Sequence, residues 1–241
     1  MAKKDGILKN VSDKDIKLLQ SNPEEFWEGI KVIGSCAFLG RRDLKSIEIP
    51  EGVKIINDDA FYNCSYLRSV KLPNSLTTIK KRAFSWCERL EDITIPEKVT
   101  ALDSTFVYAT RLKNIVLPNT LKKIGKNTFY GCESLESIEV PNSVEMIGAK
   151  AFYECSNLVK IKMPNSIKNI GNQTFYGCTK LKTVEISDGE NVNKTIITDC
   201  DSIIQDIFPN STQQKRRKRN QKELKAKGDI NEIASEELGL E

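Results

Sequence analysis

The chain has 241 residues, a formal net charge of +4, 39% hydrophobic and 29% charged residues, and no histidine. That length suits one or two domains with a sizeable core, and the composition argues against both a disordered chain and a membrane-spanning one. Without histidine there is no Ser–His or Cys–His nucleophile pair and no imidazole metal ligand.

Residues 1–29 read as an N-terminal helical cap. The first ten residues carry lysines but no apolar stretch behind them, so they do not read as a secretory signal. Ser12 suits a helix N-cap with Asp15 at the third helical position, and Asn22-Pro23 restarts a second short helix with proline at its favoured first position. Phe26, Trp27 and Ile30 are then expected to lie on the first rung of the segment that begins at residue 30.

From residue 30 the chain repeats. Pro50, Pro73, Pro96, Pro118, Pro141 and Pro164 are spaced 23, 23, 22, 23 and 23 apart, and Phe38, Phe61, Phe84, Phe106, Phe129, Phe152 and Phe175 keep the same steps. Seven units result, 30–52, 53–75, 76–98, 99–120, 121–143, 144–166 and 167–189. Each has six apolar slots, shown by Val53, Ile56, Phe61, Leu67, Val70 and Leu72, and all 42 are filled by Ile, Val, Leu, Phe or Met. A background of 39% apolar residues does not supply that by chance.

The slot spacing has a physical meaning. Val70 and Leu72 alternate with Ser69 and Lys71, which predicts a short strand with one buried face. The proline behind it has no N–H to donate and ends the ladder. Asn74, Asn119, Asn142 and Asn165 follow the proline as turn residues that tolerate a left-handed backbone, with Glu51 and Glu97 as exceptions. Gly34, Gly125, Gly148 and Gly171 follow the second apolar slot, where Asn57 stands once, and this suggests a positive-φ corner; Lys80 and Asp103 depart from it. A unit of this size cannot bury its own apolar face. Stacked units cover one another, with strands pairing in parallel at about 4.8 Å per rung. Burial of six side chains is worth on the order of 10 kcal/mol per unit.

The pattern Leu-x-x-Ile-x-Ile-Pro, then Ser-Val-x-x-Ile-Gly-x-x-Ala-Phe-x-x-Cys, resembles the bacterial surface-antigen (BspA-like) class of leucine-rich repeats, most closely in 121–143 and 144–166. The resemblance implies an α/β repeat solenoid. Its expected form is a leucine-rich-repeat-like arch with one continuous parallel β-sheet on the concave face, short helical or irregular outer segments and helical caps. It implies adhesion or protein recognition and no catalytic residue. The fourth unit, one residue short before Phe106 and with Ala109 in place of cysteine, is expected to be irregular.

Residues 190–209 are predicted to cap the other end. Ile196, Ile197, Cys200, Ile203, Ile204, Ile207 and Phe208 have helical 3–4 spacing, stopped by Pro209. Such a helix serves as a cap or is offered to a partner. Residues 210–241 form a basic-then-acidic tail, helical or mobile, with Lys215, Arg216, Arg217, Lys218, Arg219, Lys222, Lys225 and Lys227 opposed only by Glu223.

The outward strand positions are the expected partner-binding surface: Ser46 and Glu48, Ser69 and Lys71, Asp92 and Thr94, Asn114 and Val116, Ser137 and Glu139, Lys160 and Lys162, Thr183 and Glu185. Their signs alternate and none is aromatic, which fits neither a nucleic-acid groove nor a sugar platform. The partner is expected to be a protein or peptide, with no cofactor, metal or small-molecule substrate. The alternative is a nucleic acid or anionic membrane held by the basic run from Lys215 to Lys227.

Cys64, Cys87, Cys132, Cys155 and Cys178, each three residues after the repeat phenylalanine, are expected to form a column of reduced structural thiols. Tyr62, Tyr130, Tyr153 and Tyr176 suggest a half-buried row on the flank or a docking surface. No phosphate loop, dinucleotide fingerprint or acid/base pair is recognisable, so no enzyme is expected. The absent signal and reduced thiols favour the cytoplasm, although the resembled family contains many surface proteins.

Overall fold

The computed structural model describes residues 3–187 and 192–196. It opens with strands β1 (Lys3–Lys4) and β2 (Ile7–Leu8), then helices α1 (Asp13–Ser21) and α2 (Pro23–Trp27). Each repeat unit then supplies one short strand and one longer strand. In chain order the pairs are β3 (Val32–Ile33) and β4 (Ser46–Glu48), β5 (Ile55–Ile56) and β6 (Ser69–Lys71), β7 (Thr78–Ile79) and β8 (Asp92–Thr94). They continue as β9 (Ala101–Leu102) and β10 (Asn114–Val116), β11 (Lys123–Ile124) and β12 (Ser137–Glu139). The last are β13 (Met146–Ile147) and β14 (Lys160–Pro164), β15 (Asn169–Ile170) and β16 (Thr183–Ser187), with β17 (Val192–Ile196) after them.

Every unit-to-unit pairing is parallel, and residues one repeat apart stand side by side, as Ser46 beside Ser69 and Lys160 beside Thr183. The fold is a parallel solenoid of stacked coils, with the strand-by-strand alternation that the slots predict: Ile47, Val70, Ile93 and Ile138 point inward and are buried, and their neighbours on each strand are exposed. Of the six-slot residues only Leu72 and Ile115 are half-buried, and all the others are buried. The phenylalanines stack from Phe38 to Phe175 with ring centroids 4.7–5.8 Å apart, and Phe26 of α2 meets the first at 6.3 Å.

The expected single continuous sheet is interrupted, and there are two ladders rather than one. The longer strands form a four-stranded ladder β4-β6-β8-β10 and a second block β12-β14-β16-β17; the short strands break between β7 and β9. Both interruptions touch the fourth unit, the one that is a residue short: it pairs backward through β8–β10 and forward through β9–β11. Losing one residue before Phe106 shifts the two ladders of that unit relative to each other, so neither runs through it.

Two local expectations are corrected. The glycines after the second slot do not have positive φ. They are there because the preceding rung lies against them: a Cβ on Gly125 would stand 2.6 Å from the Leu102 carbonyl oxygen, and one on Gly171 2.1 Å from the Ala149 nitrogen. Left-handed backbone sits instead two residues before and two residues after each repeat phenylalanine, from Cys36 and Gly40 to Gln173 and Gly177. Nor are the post-proline asparagines left-handed. Where Glu51 replaces asparagine, its carboxylate accepts the N–H groups of Asn74 and Ser75 of the next rung at 2.8 and 3.0 Å.

At the N-terminal end β1 and β2 form an antiparallel hairpin whose second strand pairs parallel with β3, an element that the residue pattern does not reveal. Helix α1 begins with a capping box in which the Ser12 hydroxyl and Asp15 carboxylate each serve the other's backbone N–H. Arg41 clamps α1 to the first rung by donating to Asp13 at 2.7 Å and to both oxygens of Asp43 at 3.0 and 2.5 Å. At the other end the start of the segment 190–209 is not the expected helix: Val192–Ile196 is a strand antiparallel to β16. An open sheet edge offers backbone partners that outweigh the 3–4 apolar spacing, and Val192, Thr195 and Ile196 are β-branched. The remaining residues of that predicted helix, and the tail after it, lie outside the described residues.

Candidate interaction surface

The outward residues of the longer strands share one face, placed there by the two-residue period of β structure. All fourteen expected positions are on it: Lys162, Thr183 and Glu185 are half-buried and the rest exposed. Register brings the charges together across rungs. Lys71 meets Glu48 at 2.5 Å, Lys162 meets Glu139 at 2.6 Å, Lys160 meets Glu185 at 2.9 Å, and the Asn114 amide donates to Asp92 at 2.6 Å. The alternating signs therefore neutralise one another along the face, and exposed pairs of this kind add little stability.

Val116 is the one apolar outward residue, and it is 58% exposed. It borders a groove of about 350 Å³ lined also by Ile115, Glu139, Pro141 and Lys162. The groove lies where β10 and β12 fail to pair, which is why Ile115, a core slot elsewhere, is only half-buried here. A second opening, about 310 Å³, lies beside Leu72, the other half-buried slot.

The tyrosine row exists but does not include Tyr62, and it extends to residues outside its sequence signature. Tyr130, Tyr153 and Tyr176 stack at 4.7 and 4.9 Å, and the row continues through Tyr108 and Trp86 at 5.3 and 4.5 Å. These last two stand two residues after their phenylalanine instead of one. Gly131 makes the change possible, since a Cβ there would meet the Tyr108 ring at 2.5 Å. Burial, then a hydrogen bond with Tyr108, pushes the Tyr130 hydroxyl up to about 12. Tyr130 and Tyr153 are half-buried, and Trp86 and Tyr176 at the ends are 37% and 47% exposed.

The thiol column packs inside. Each of Cys64, Cys87, Cys132, Cys155 and Cys178 donates to the carbonyl of the phenylalanine one rung back, at 3.0–3.3 Å. Burial pushes the Cys64 thiol up to about 12 and those of Cys87, Cys132 and Cys155 well above their ordinary value. A raised pKa leaves almost no thiolate, the nucleophilic form. A thiol-directed reagent at about pH 8 should therefore label half-buried Cys36 in the folded protein and reach Cys64, Cys87, Cys132 and Cys155 only after denaturation. Column labelling at the Cys36 rate, followed by peptide mapping, would contradict this.

Among the described residues no cluster of His, Cys, Asp or Glu could hold a metal ion, and no helix is long and apolar enough to cross a membrane. Lys215 to Lys227 lie outside the described residues.

Comparison with known proteins agrees with this architecture. No curated protein matches the chain. Among solved structures, the T. pallidum leucine rich repeat protein TpLRR is 29% identical, with a TM-score of 0.59 over 63% of this chain and 72% of that one. A leucine-rich repeat protein from Bacteroides ovatus is 24% identical over 66% of this chain and 65% of its own, with a TM-score of 0.40. A leucine rich cell surface protein from Faecalibacterium prausnitzii is 21% identical over 67% and 78%, with a TM-score of 0.36. The model of the BspA type leucine rich repeat region matches residues 24–115 and 102–221 in six copies. With its core slots, parallel coils and this match across most of its length, the chain belongs to the BspA-type leucine-rich repeat family.

Proposed function

We propose that this protein is a non-catalytic recognition module that holds a protein or peptide against its strand face. One observation carries the reading: within strands β4, β6, β8 and β12 only the inward residue builds the core, so the outward positions are released from packing and vary between rungs. Stacked-repeat proteins commonly use such an extended surface to bind other proteins. Within it, exposed Val116 and the groove beside it supply an apolar anchor, with Glu139 and Lys162 as a polar rim. The lysines of the face are poorer test positions, because Lys71, Lys160 and Lys162 already bind carboxylates of neighbouring rungs. The cytoplasmic placement expected from the sequence is part of the same proposal; the column of buried thiols donating to backbone carbonyls supports it.

Val116→Asp should weaken a partner captured from the source organism by about ten-fold or more, the usual cost of charging an interface anchor. The melting curve should not change, because Val116 contributes nothing to the core. Tyr66→Ala, at an exposed turn position outside the strands, should leave binding intact. Binding measured by titration that ignores Val116→Asp would rule out this groove as the anchor.

A further inference from the structure

The two ends of the longer-strand ladder are finished differently. At the C-terminal end β17 lies antiparallel on β16 and extends the sheet by one strand. At the N-terminal end β4 has β6 on one side and no strand on the other among the described residues. The terminal hairpin pairs with β3 and so extends the short-strand ladder only.

The direction of the β4 hydrogen bonds is set by the register. Lys45 accepts from Arg68 and Ile49 donates to Lys71, so the odd-numbered residues of this strand serve β6. By alternation the N–H and C=O groups of Ser46 and Glu48 point to the unpaired side. Beside them is a groove of about 480 Å³ between α1 and the strand, floored by Leu19, Leu44 and Ile47. Leu44 and Ile47 are buried and Leu19 is half-buried. Four main-chain groups in line along an edge match the spacing of an extended chain, not of a helix or a globular surface.

We propose that this edge accepts an extended peptide from a partner protein, added as one more strand, with an apolar residue facing Ile47 and a basic residue facing Glu48. The acceptor rule comes from the chain itself. The opposite edge is closed by an extended segment, and outward glutamates face lysines of the neighbouring strand, as in Glu48–Lys71 and Glu139–Lys162. A carboxylate has acceptor sites for a second cation. Lys45 is the single cation lining the groove and is outnumbered there by Asp43 and Glu48, so the rim beside Glu48 carries net negative charge. This site is the sheet edge, independent of the face around Val116.

The probe is a fluorescein-labelled heptapeptide, Leu-Arg-Ser-Val-Lys-Leu-Pro, the sequence of residues 67–73 that β4 already meets on its other side. With the full chain, peptide binding should slow amide exchange at Ser46 and Glu48. Ser46→Pro removes an N–H on the unpaired side that no strand among the described residues uses, and proline is tolerated at such edge positions. It should weaken the peptide by about ten-fold, one lost main-chain hydrogen bond and a ring in its path, with an unchanged melting curve. Glu48→Lys provides a second reading that does not depend on proline. It should reverse the preference, so that a peptide with glutamate in place of its lysine binds better than the original. Absence of peptide binding, equal affinity for Ser46→Pro, or no reversal with Glu48→Lys would overturn the proposal. So would protection falling on Asn114–Val116 instead, or a concentration-dependent dimer of the free protein that Ser46→Pro abolishes, since the edge would then belong to a second copy.

Discussion

Phe106→Ala should cost about 3–5 kcal/mol, the usual loss for truncating a fully buried phenylalanine, and lower the melting temperature by on the order of 10 °C. The ring is completely buried and sits between Phe84 and Phe129, 5.8 Å from each. Those are the widest steps in the column, against 4.7 Å between Phe38 and Phe61. The same unit lacks the forward pairing of its longer strand and the backward pairing of its short one. Coupling across it therefore rests on the remaining ladder on each side, on outer-turn bonds such as Phe84 N–H to Thr105 and Phe106 N–H to Thr128, and on the ring itself. A stack in which each rung touches only its neighbours loses cooperativity at its weakest joint. The substitution should thus do more than lower stability. Hydrogen exchange followed during denaturation should show units 30–98 and 121–187 opening at different denaturant concentrations, whereas Phe61→Ala should cost a similar amount with one coincident transition. A single coincident transition in Phe106→Ala would show that the fourth unit is not the weak joint.

What was legible in the sequence is what burial dictates. Ile47, Val70 and Phe106 recur at fixed spacing because each unit must hide the same slots, so the core, the strand alternation and the irregular fourth unit are readable from residue types. Less visible is conformation imposed by neighbours. Cys36, Asp59, Arg82, Ser104, Asn127, Lys150 and Gln173 share a left-handed backbone and no side-chain chemistry. Their geometry is held by bonds from rung to rung, such as Cys36 N–H to Asp58 and Asp59 N–H to Lys81, and leaves no residue signature. The glycines misled because one residue type marks two needs, positive φ and close approach, and only coordinates separate them. On the candidate surface, the outward positions came from the strand period, but the groove at Val116 depends on a missing strand pairing. Trp86 and Tyr108 were missed because they join the aromatic row from a different position in their units. The strand at Val192–Ile196 shows a sheet edge prevailing over helical spacing.

Gly148→Ala should destabilise by about 1–3 kcal/mol, against the ordinary expectation for a glycine whose φ is not positive. At an unstrained site, alanine reduces the freedom of the unfolded chain and stabilises by about 0.4–1 kcal/mol. Here the new Cβ would lie 2.4 Å from the nitrogen of Lys126 and 2.5 Å from the carbonyl carbon of Gly125. Both are backbone atoms of the rung behind, so no side chain can swing away. Gly148 N–H also donates to Ile124 at 2.8 Å, and separating the rungs to admit a methyl group stretches that bond. Gly125 and Gly171 meet the backbone of the rung behind in the same way, at 2.6 and 2.1 Å. Gly29 is the informative contrast: its φ is +73° and nothing lies within 4 Å of its Cβ position. Gly29→Ala should lose about 1 kcal/mol through conformation alone, and Gly29→Asn should recover part of it, because asparagine tolerates the left-handed region. Gly148→Asn should recover nothing and be worse than alanine. Asparagine does occupy the same slot at Asn57, in the half of the stack before the ladder break. The cost of a side chain is therefore set by how closely the rung behind approaches, and thermal melts of the four variants measure it directly. A neutral or stabilised Gly148→Ala would mean that the rungs separate freely and that close stacking does not hold this half together.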